Sequence, residues 1–160
     1  MQFWNNFLDR SQFDSLRSTV CDPDFPWRMR KNMTSETEEN GGIWFVHTFY
    51  YNREARSPFY NDHIIPILDK LNASAIIEAR ANLYLSKLFE RSDSHIDYPH
   101  RCKTGILYLN DCNGGTIIND TFIEAKANRF VEFDTSQHHY GVTSSNADAR
   151  YIINMNYYKD

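Results

Sequence analysis

Apolar residues recur at two different periods along this 160-residue chain, and the period changes where the expected architecture changes. In residues 1–20, Phe3, Trp4, Phe7, Leu8 and Leu16 fall mostly at helical spacing and predict a helix packed on the outside of a sheet. Asp22-Pro23-Asp24-Phe25-Pro26-Trp27 reads as a rigid turn with an aromatic anchor. Residues 31–42 are polar and end in two glycines, which predicts a loop. Ile43 to Tyr51 is a strand. Ser57-Pro58 reads as N-cap and first helical residue. The helix behind it puts Ile64, Leu68 and Leu71 on one face, and Pro66 should kink it. Ala75 to Leu85 is the next strand.

From Tyr84 to Tyr157 the pattern is one of short β segments joined by polar turns. Lys103 to Asn110 is β-branched and aromatic and closes on the turn-rich Asp111-Cys112-Asn113-Gly114-Gly115. Thr116-Ile117-Ile118 follows as a strand, with Gly114-Gly115 as a hairpin turn. Arg129 to Phe133 alternates polar and apolar as a half-buried strand does, and Arg150 opens a last strand, Tyr151 to Tyr157. Helices first and antiparallel strands afterwards predict a mainly β, sheet-on-sheet barrel buttressed by N-terminal helices. One domain over 1–160 is expected, with support elements in about 1–85 and a core in about 84–158.

Composition narrows the function. Aromatic content is 15%, with 10 Tyr and 11 Phe, which suits strands and a ring-lined cavity. The net charge of −4 supplies no basic stripe to neutralise phosphates, so no nucleic-acid partner is expected. Arg28, Arg30 and Lys31 form one small basic cluster, read as a solvated loop. Cys21, Cys102 and Cys112 are unpatterned and fit reduced thiols in a cytoplasm. The first residues carry no signal-peptide pattern, and no apolar run approaches membrane-spanning length, so a cytoplasmic protein is expected.

The candidate chemistry begins at His95-Ile96-Asp97, with His138-His139 and Arg150 downstream. A His-x-Asp with a distant second histidine is the ligand set of a facial-triad iron(II) site, which leaves coordination positions open. On extended backbone His95 and Asp97 project to the same side. Alone, the tripeptide reads equally well as a surface turn. Arg150 carries a planar, always charged fork suited to a carboxylate, and shares a strand face with Ile152, Asn154 and Asn156. Tyr108 shares a face with Thr104 and Ile106, where a buried core tyrosine is the plainer reading. Tyr84 ends an alternating set with Arg80 and Asn82. His47, His63 and His100 are taken as non-ligands. Gly114-Gly115 lacks the lysine and helix of a phosphate cradle.

In this order, His95-x-Asp97, Tyr108-Leu109-Asn110, Gly114-Gly115-Thr116, then histidine and Arg150, the chain resembles the prolyl-4-hydroxylase-like branch of the iron(II)/2-oxoglutarate dioxygenases. Within that branch it is similar to small bacteriophage-type oxygenases. The likeness covers the C-terminal half well and the N-terminal half loosely. It implies a double-stranded β-helix, or jelly roll, and an oxygenase that hydroxylates a C–H bond with succinate and carbon dioxide as co-products. It implies Fe(2+), 2-oxoglutarate as cosubstrate and dioxygen, with ascorbate as a candidate reductant. The implied ligands are His95, Asp97 and His139, because in relatives a glycine stands two residues after the distal histidine and the basic residue about ten after. His138 would then be a rim residue. Arg150 and Tyr108 would hold the cosubstrate carboxylate, Tyr84 would lie near the cosubstrate or the substrate, and Arg80 and Asn82 would contact substrate. A prolyl residue of a peptide or protein is the first substrate expected, then a free amino acid or another small molecule. A viral source would place the protein in the host cytoplasm. The competing reading is a cupin-like metal module of sugar-binding or isomerase type, which would have no need of Arg150. An inert interaction domain would not explain four site residues standing in order.

Overall fold

The structure is a computed structural model that describes residues 1–31, 43–86 and 91–159. In chain order its elements are β1 (Gln2–Trp4), α1 (Arg10–Val20), β2 (Arg28–Arg30), β3 (Trp44–Tyr51), β4 (Glu54–Ala55), α2 (Ile65–Leu71) and β5 (Ala75–Leu85). They continue with β6 (Lys103–Tyr108), β7 (Gly115–Ile118), β8 (Thr121–Glu124), β9 (Arg129–Asp134), β10 (His139–Val142) and β11 (Ala149–Tyr158). The large sheet runs β1-β9-β6-β11-β5-β3-β2, with β4 beside β3, and the small one runs β10-β7-β8. Every pairing is antiparallel.

Strand alternation sends the two faces of the large sheet to different partners. Ile153, Met155 and Tyr157 of β11, Ala79 and Ala81 of β5 and Leu107 of β6 pack with Phe13, Leu16 and Val20 of α1 and Ile67 and Leu71 of α2. The opposite face carries Ile106, Tyr108, Val131, Phe133 and Ile152 against Ile118 and Ile123 of the small sheet. The result is a mainly β jelly roll with helices on its outside. Among the described residues, no helix is long and apolar enough to cross a membrane.

Several local readings give way to tertiary context. Phe3 and Trp4 lie in an edge strand paired with Val131 and Phe130, and α1 starts only at Arg10. Asn6, at a φ of 52°, breaks the run between them. Ser57 stands ahead of the helical run, which begins at Tyr60; its hydroxyl bonds His47 and accepts from the Phe59 N–H (3.2 Å). Pro66 stands where that run changes from a wide turn over Tyr60–Ile64, closed by Ile65 N–H to the Tyr60 carbonyl, to the regular α2, the irregularity expected where a proline withholds its N–H from the preceding turn. Arg28 and Arg30 belong to an exposed edge strand rather than a loop. β9 is buried on both faces, with Phe130 on the helix side and Val131 and Phe133 between the sheets. Gly114-Gly115 is no hairpin turn, because β6 and β7 belong to different sheets. The hairpin is one turn later, at Asn119-Asp120, whose positive φ values (44° and 65°) suit a two-residue turn. The loop expected over 31–42 falls almost wholly outside the described residues.

Candidate active site

The segment that leads into β6 lies along β10 as an extra, irregular strand. His95 N–H donates to the His139 carbonyl (3.1 Å) and His139 N–H returns to the His95 carbonyl (2.9 Å), while Asp97 N–H donates to the Thr135 carbonyl (3.1 Å). This pairing sets His95 beside His139 and, two residues on, swings Asp97 to the same side.

The three side chains converge. The Nε2 atoms of His95 and His139 lie 3.6 and 3.5 Å from Asp97 Oδ1, and one ligand atom from each residue lies within 4.8 Å of the others. Each Nδ1 faces a backbone carbonyl, Asp93 for His95 and Gln137 for His139, both at 3.1 Å. A carbonyl only accepts, so the ring proton sits on Nδ1 and each Nε2 lone pair points into the site. Asp97 Oδ2 accepts from Thr104 Oγ1 (2.7 Å) and Asn156 Nδ2 (2.8 Å), which leaves Oδ1 for a cation. Burial pushes the Asp97 carboxyl up, but the His139 ring when it carries a proton on Nε2, with the hydrogen bonds from Thr104 and Asn156, outweighs it and holds the group below the usual carboxylate range. Burial lowers the His95 imidazole, helped by His139 and Arg80 against the Asp93 carbonyl and Asp97, which favours the neutral, ligating form. Two neutral imidazoles and one carboxylate on one side are a donor set that can hold a divalent metal. His139 and Asp97 are 4% and 7% exposed and His95 is 35%, so the site opens past His95. His138 is exposed, 3.5 Å from Ser94 Oγ, and turned away from the cluster.

Arg150 lies on the same inner face. It is 2% exposed, with its guanidinium 4.6 Å from the Tyr84 ring, and its Nε and Nη1 have no partner. Gly141 makes room for it, since a Cβ there would meet Nη2 at 2.8 Å. Tyr108 is fully buried beside it, but its hydroxyl donates to Thr116 Oγ1 (2.8 Å) across to the small sheet. Tyr84 stacks on Trp44 (5.9 Å, 5° between planes) and accepts from Asn82 Nδ2 (3.2 Å). Burial raises the Tyr84 hydroxyl against the pull of Arg150 and Arg80.

Among the described residues, the buried polar atoms left unpartnered are Trp44 Nε1, Arg80 Nε, Asn82 Oδ1, Arg150 Nε and Nη1, and Asn154 Oδ1. All belong to the inner faces of β3, β5 and β11. Folded proteins rarely bury such groups without partners, so a cluster of them marks where a polar ligand fits. Trp44 was not singled out from the sequence, and Thr104, Thr116 and Gly141 entered it only as neighbours of the motif residues. A usable signal was Asn154 and Asn156 in mid-strand, where asparagine is depleted unless it has a polar neighbour. His47 and His63 are held elsewhere, by Pro26 and Ser57 and by Thr19. His100 lies on the surface between Tyr98 and Tyr158.

No protein-family profile and no curated protein matches the sequence. Solved structures do match the fold. An oxidoreductase of the 2OG-Fe(II) oxygenase family from Burkholderia pseudomallei superposes with a TM-score of 0.71 at 12% identity, over 96% of this chain and 82% of its own. A prolyl hydroxylase from Trichoplax adhaerens, solved with a hypoxia inducible factor peptide fragment, gives 0.69 at 18% identity over 98% and 82%. A Pseudomonas putida prolyl-4-hydroxylase gives 0.61 at 13% identity over 99% and 92%. Coverage this complete at such low identity means that the path of the chain is shared while most side chains are not. The protein has the jelly-roll fold of the 2OG-Fe(II) oxygenases.

Proposed function

We propose that the protein is an iron(II)- and 2-oxoglutarate-dependent oxygenase that hydroxylates a C–H bond of a peptide or small molecule. One observation carries the reading: the unpartnered fork of buried Arg150 lies against Gly141, two residues along β10 from His139 of the His95/Asp97/His139 cluster. His95 and His139 would ligate through Nε2 and Asp97 through Oδ1, with Thr104 and Asn156 holding the carboxylate in place. Arg150 would grip the remote carboxylate of 2-oxoglutarate, with Tyr108 and Tyr84 packed about it. Iron(II) with 2-oxoglutarate and dioxygen supplies the oxidant for hydroxylation, with succinate and carbon dioxide as co-products.

The chain's own work is binding and shielding. The Nδ1–H bonds to Asp93 and Gln137 fix both rings, and Phe133, edge-on to His139 at 4.8 Å, keeps water from that side. Arg150 lies deep enough that its ion pair forms out of water, where it is strong. A cupin-type metal module is not favoured, since it gives Arg150 no partner. The free thiols of Cys21, Cys102 and Cys112 suit a cytoplasmic enzyme. The described residues are read as one oxygenase domain, with ascorbate as an accessory reductant.

Anaerobic addition of iron(II) and 2-oxoglutarate should raise the weak visible band of the metal–oxoacid chelate, and air should then release succinate. His139→Ala should abolish the band and His138→Ala should keep it. A wild-type protein that gives neither the band nor succinate sinks the proposal, and the reverse behaviour of the two variants moves the ligand to His138.

A further inference from the structure

β5 turns Glu78, Arg80, Asn82 and Tyr84 to the inner face of the large sheet, and the proposed function gives a role only to the last of them. Arg80 stands across from Asn154 of β11 on one side and Thr48 of β3 on the other. Its Nη1 donates to Glu78 Oε1 (3.2 Å), and its guanidinium lies 5.8 Å from the Trp44 ring. Glu78 therefore takes one corner of the fork. The side-on edge, formed by Nε and Nη2, has a buried Nε with no partner. That edge is the geometry that grips a carboxylate with two parallel hydrogen bonds. Facing it across the ladder, Asn154 Oδ1 is a buried acceptor that nothing fills. With the Glu78 carboxylate, only 14% exposed, it makes a place for a cationic donor.

Arg80 and Arg150 are distinct forks. Arg150 pairs with Tyr84 and Asn154 with Arg80, so the two arginines are four residues apart in register, roughly 13 Å along the strands. Arg80 lies toward the metal cluster, where Asp97 is held by Asn156, the partner of Glu78.

We infer that Arg80 anchors the substrate and that the substrate is a free α-amino acid, its carboxylate on the side-on edge of Arg80 and its ammonium group facing Glu78 and Asn154. The inference rests on the oxygenase reading. An internal residue of a peptide brings no charge to this place. It would leave the buried Arg80 Nε without an acceptor, which is costly. A zwitterion fills both halves and leaves the Arg80–Glu78 pair intact.

The test uses the whole protein, loaded anaerobically with iron(II) and 2-oxoglutarate and exposed in turn to each common L-amino acid, to its carboxamide and to an N-acetyl prolinamide. Thermal midpoint is read without oxygen and succinate release in air. At least one amino acid should raise the midpoint and speed succinate release about tenfold or more, and its carboxamide should do neither. Arg80→Ala should lose both responses but keep the chelate band at unchanged 2-oxoglutarate affinity, and Arg80→Lys should keep part of them. A panel without a responder, a carboxamide or prolinamide as effective as the acid, or an Arg80→Ala protein that still responds each overturns the inference. So does an Arg80→Ala protein that loses 2-oxoglutarate affinity, because Arg80 would then be a cosubstrate contact. A wild-type protein without the chelate band refutes the oxygenase reading itself, which the band reports separately.

Discussion

A guanidinium that is 2% exposed and lacks partners at Nε and Nη1 is costly to keep unless something anionic binds it. If that partner is the remote carboxylate of 2-oxoglutarate, Arg150→Ala should weaken cosubstrate binding by about 2–5 kcal/mol while iron(II) affinity holds. Arg150→Lys should lose less, since it keeps the charge without the fork. Anaerobic titration of the chelate band measures both, and unchanged 2-oxoglutarate affinity in the alanine variant removes Arg150 from the site. Gly141 gives a finer test. Gly141→Ala puts a methyl group against Arg150 Nη2, so the apparent affinity for 2-oxoglutarate should fall with the metal ligands untouched. Equal 2-oxoglutarate affinity in that variant argues that Arg150 has room to spare. The three residues that converge, His95, Asp97 and His139, were readable from their order in the chain. Their supports were not, because Thr104 and Asn156 are meaningful only through the carboxylate oxygen they hold.

Among the elements, the long strands were the most readable. β5 spans the predicted Ala75–Leu85, and β11 starts one residue before Arg150. β11 sets Tyr151, Ile153, Met155 and Tyr157 on one face against Arg150, Asn154 and Asn156 on the other, so period and composition agree; in β5, Ala79, Ala81 and Leu83 alternate with Glu78, Arg80 and Asn82, and the period carries the reading. Short edge strands carry no such signal; β1 has three residues and all are exposed. The N-terminal half also shares the large sheet with the motif-bearing half, since β1 pairs β9 and β5 pairs β11. That sheet is tied to its outer elements through a neutral histidine. His47 Nδ1–H donates to the Pro26 carbonyl (3.1 Å), and Ser57 Oγ lies 2.7 Å from Nε2. Burial lowers the His47 imidazole, with Arg28 adding to it and the Pro26 carbonyl opposing, and burial likewise lowers His63 against Asp62. A lowered folded value means that the unfolded chain takes up the proton first. Stability should therefore be level above about pH 6.5 and fall as pH drops below it toward the folded values. Denaturant midpoints across that range measure the slope, and His47→Gln should make it shallower. A flat profile in the wild type refutes the account.

At the scale of the whole molecule, a site assembled from distant segments links binding to folding. A metal and cosubstrate that bind only the folded chain should raise its stability by about 2.7 kcal/mol at a hundredfold excess over the dissociation constant, roughly 5–10 °C in Tm. Calorimetry under anaerobic conditions, with and without iron(II) and 2-oxoglutarate, should show that rise in the wild type and not in His95→Ala. Equal shifts in the two would place binding elsewhere. What the sequence determined by itself was local: the strand periods, the order of His95, Asp97, His139 and Arg150, and the polar face of β11. These follow from side-chain alternation and residue chemistry, which need no partner element. Only the tertiary structure decided that β6 and β7 part into different sheets, that the segment bearing His95 pairs with β10, and that Arg80, Asn82 and Asn154 meet on one face of the large sheet. Those are contacts between distant stretches of chain, set by which faces are buried against each other, and no local pattern encodes that choice.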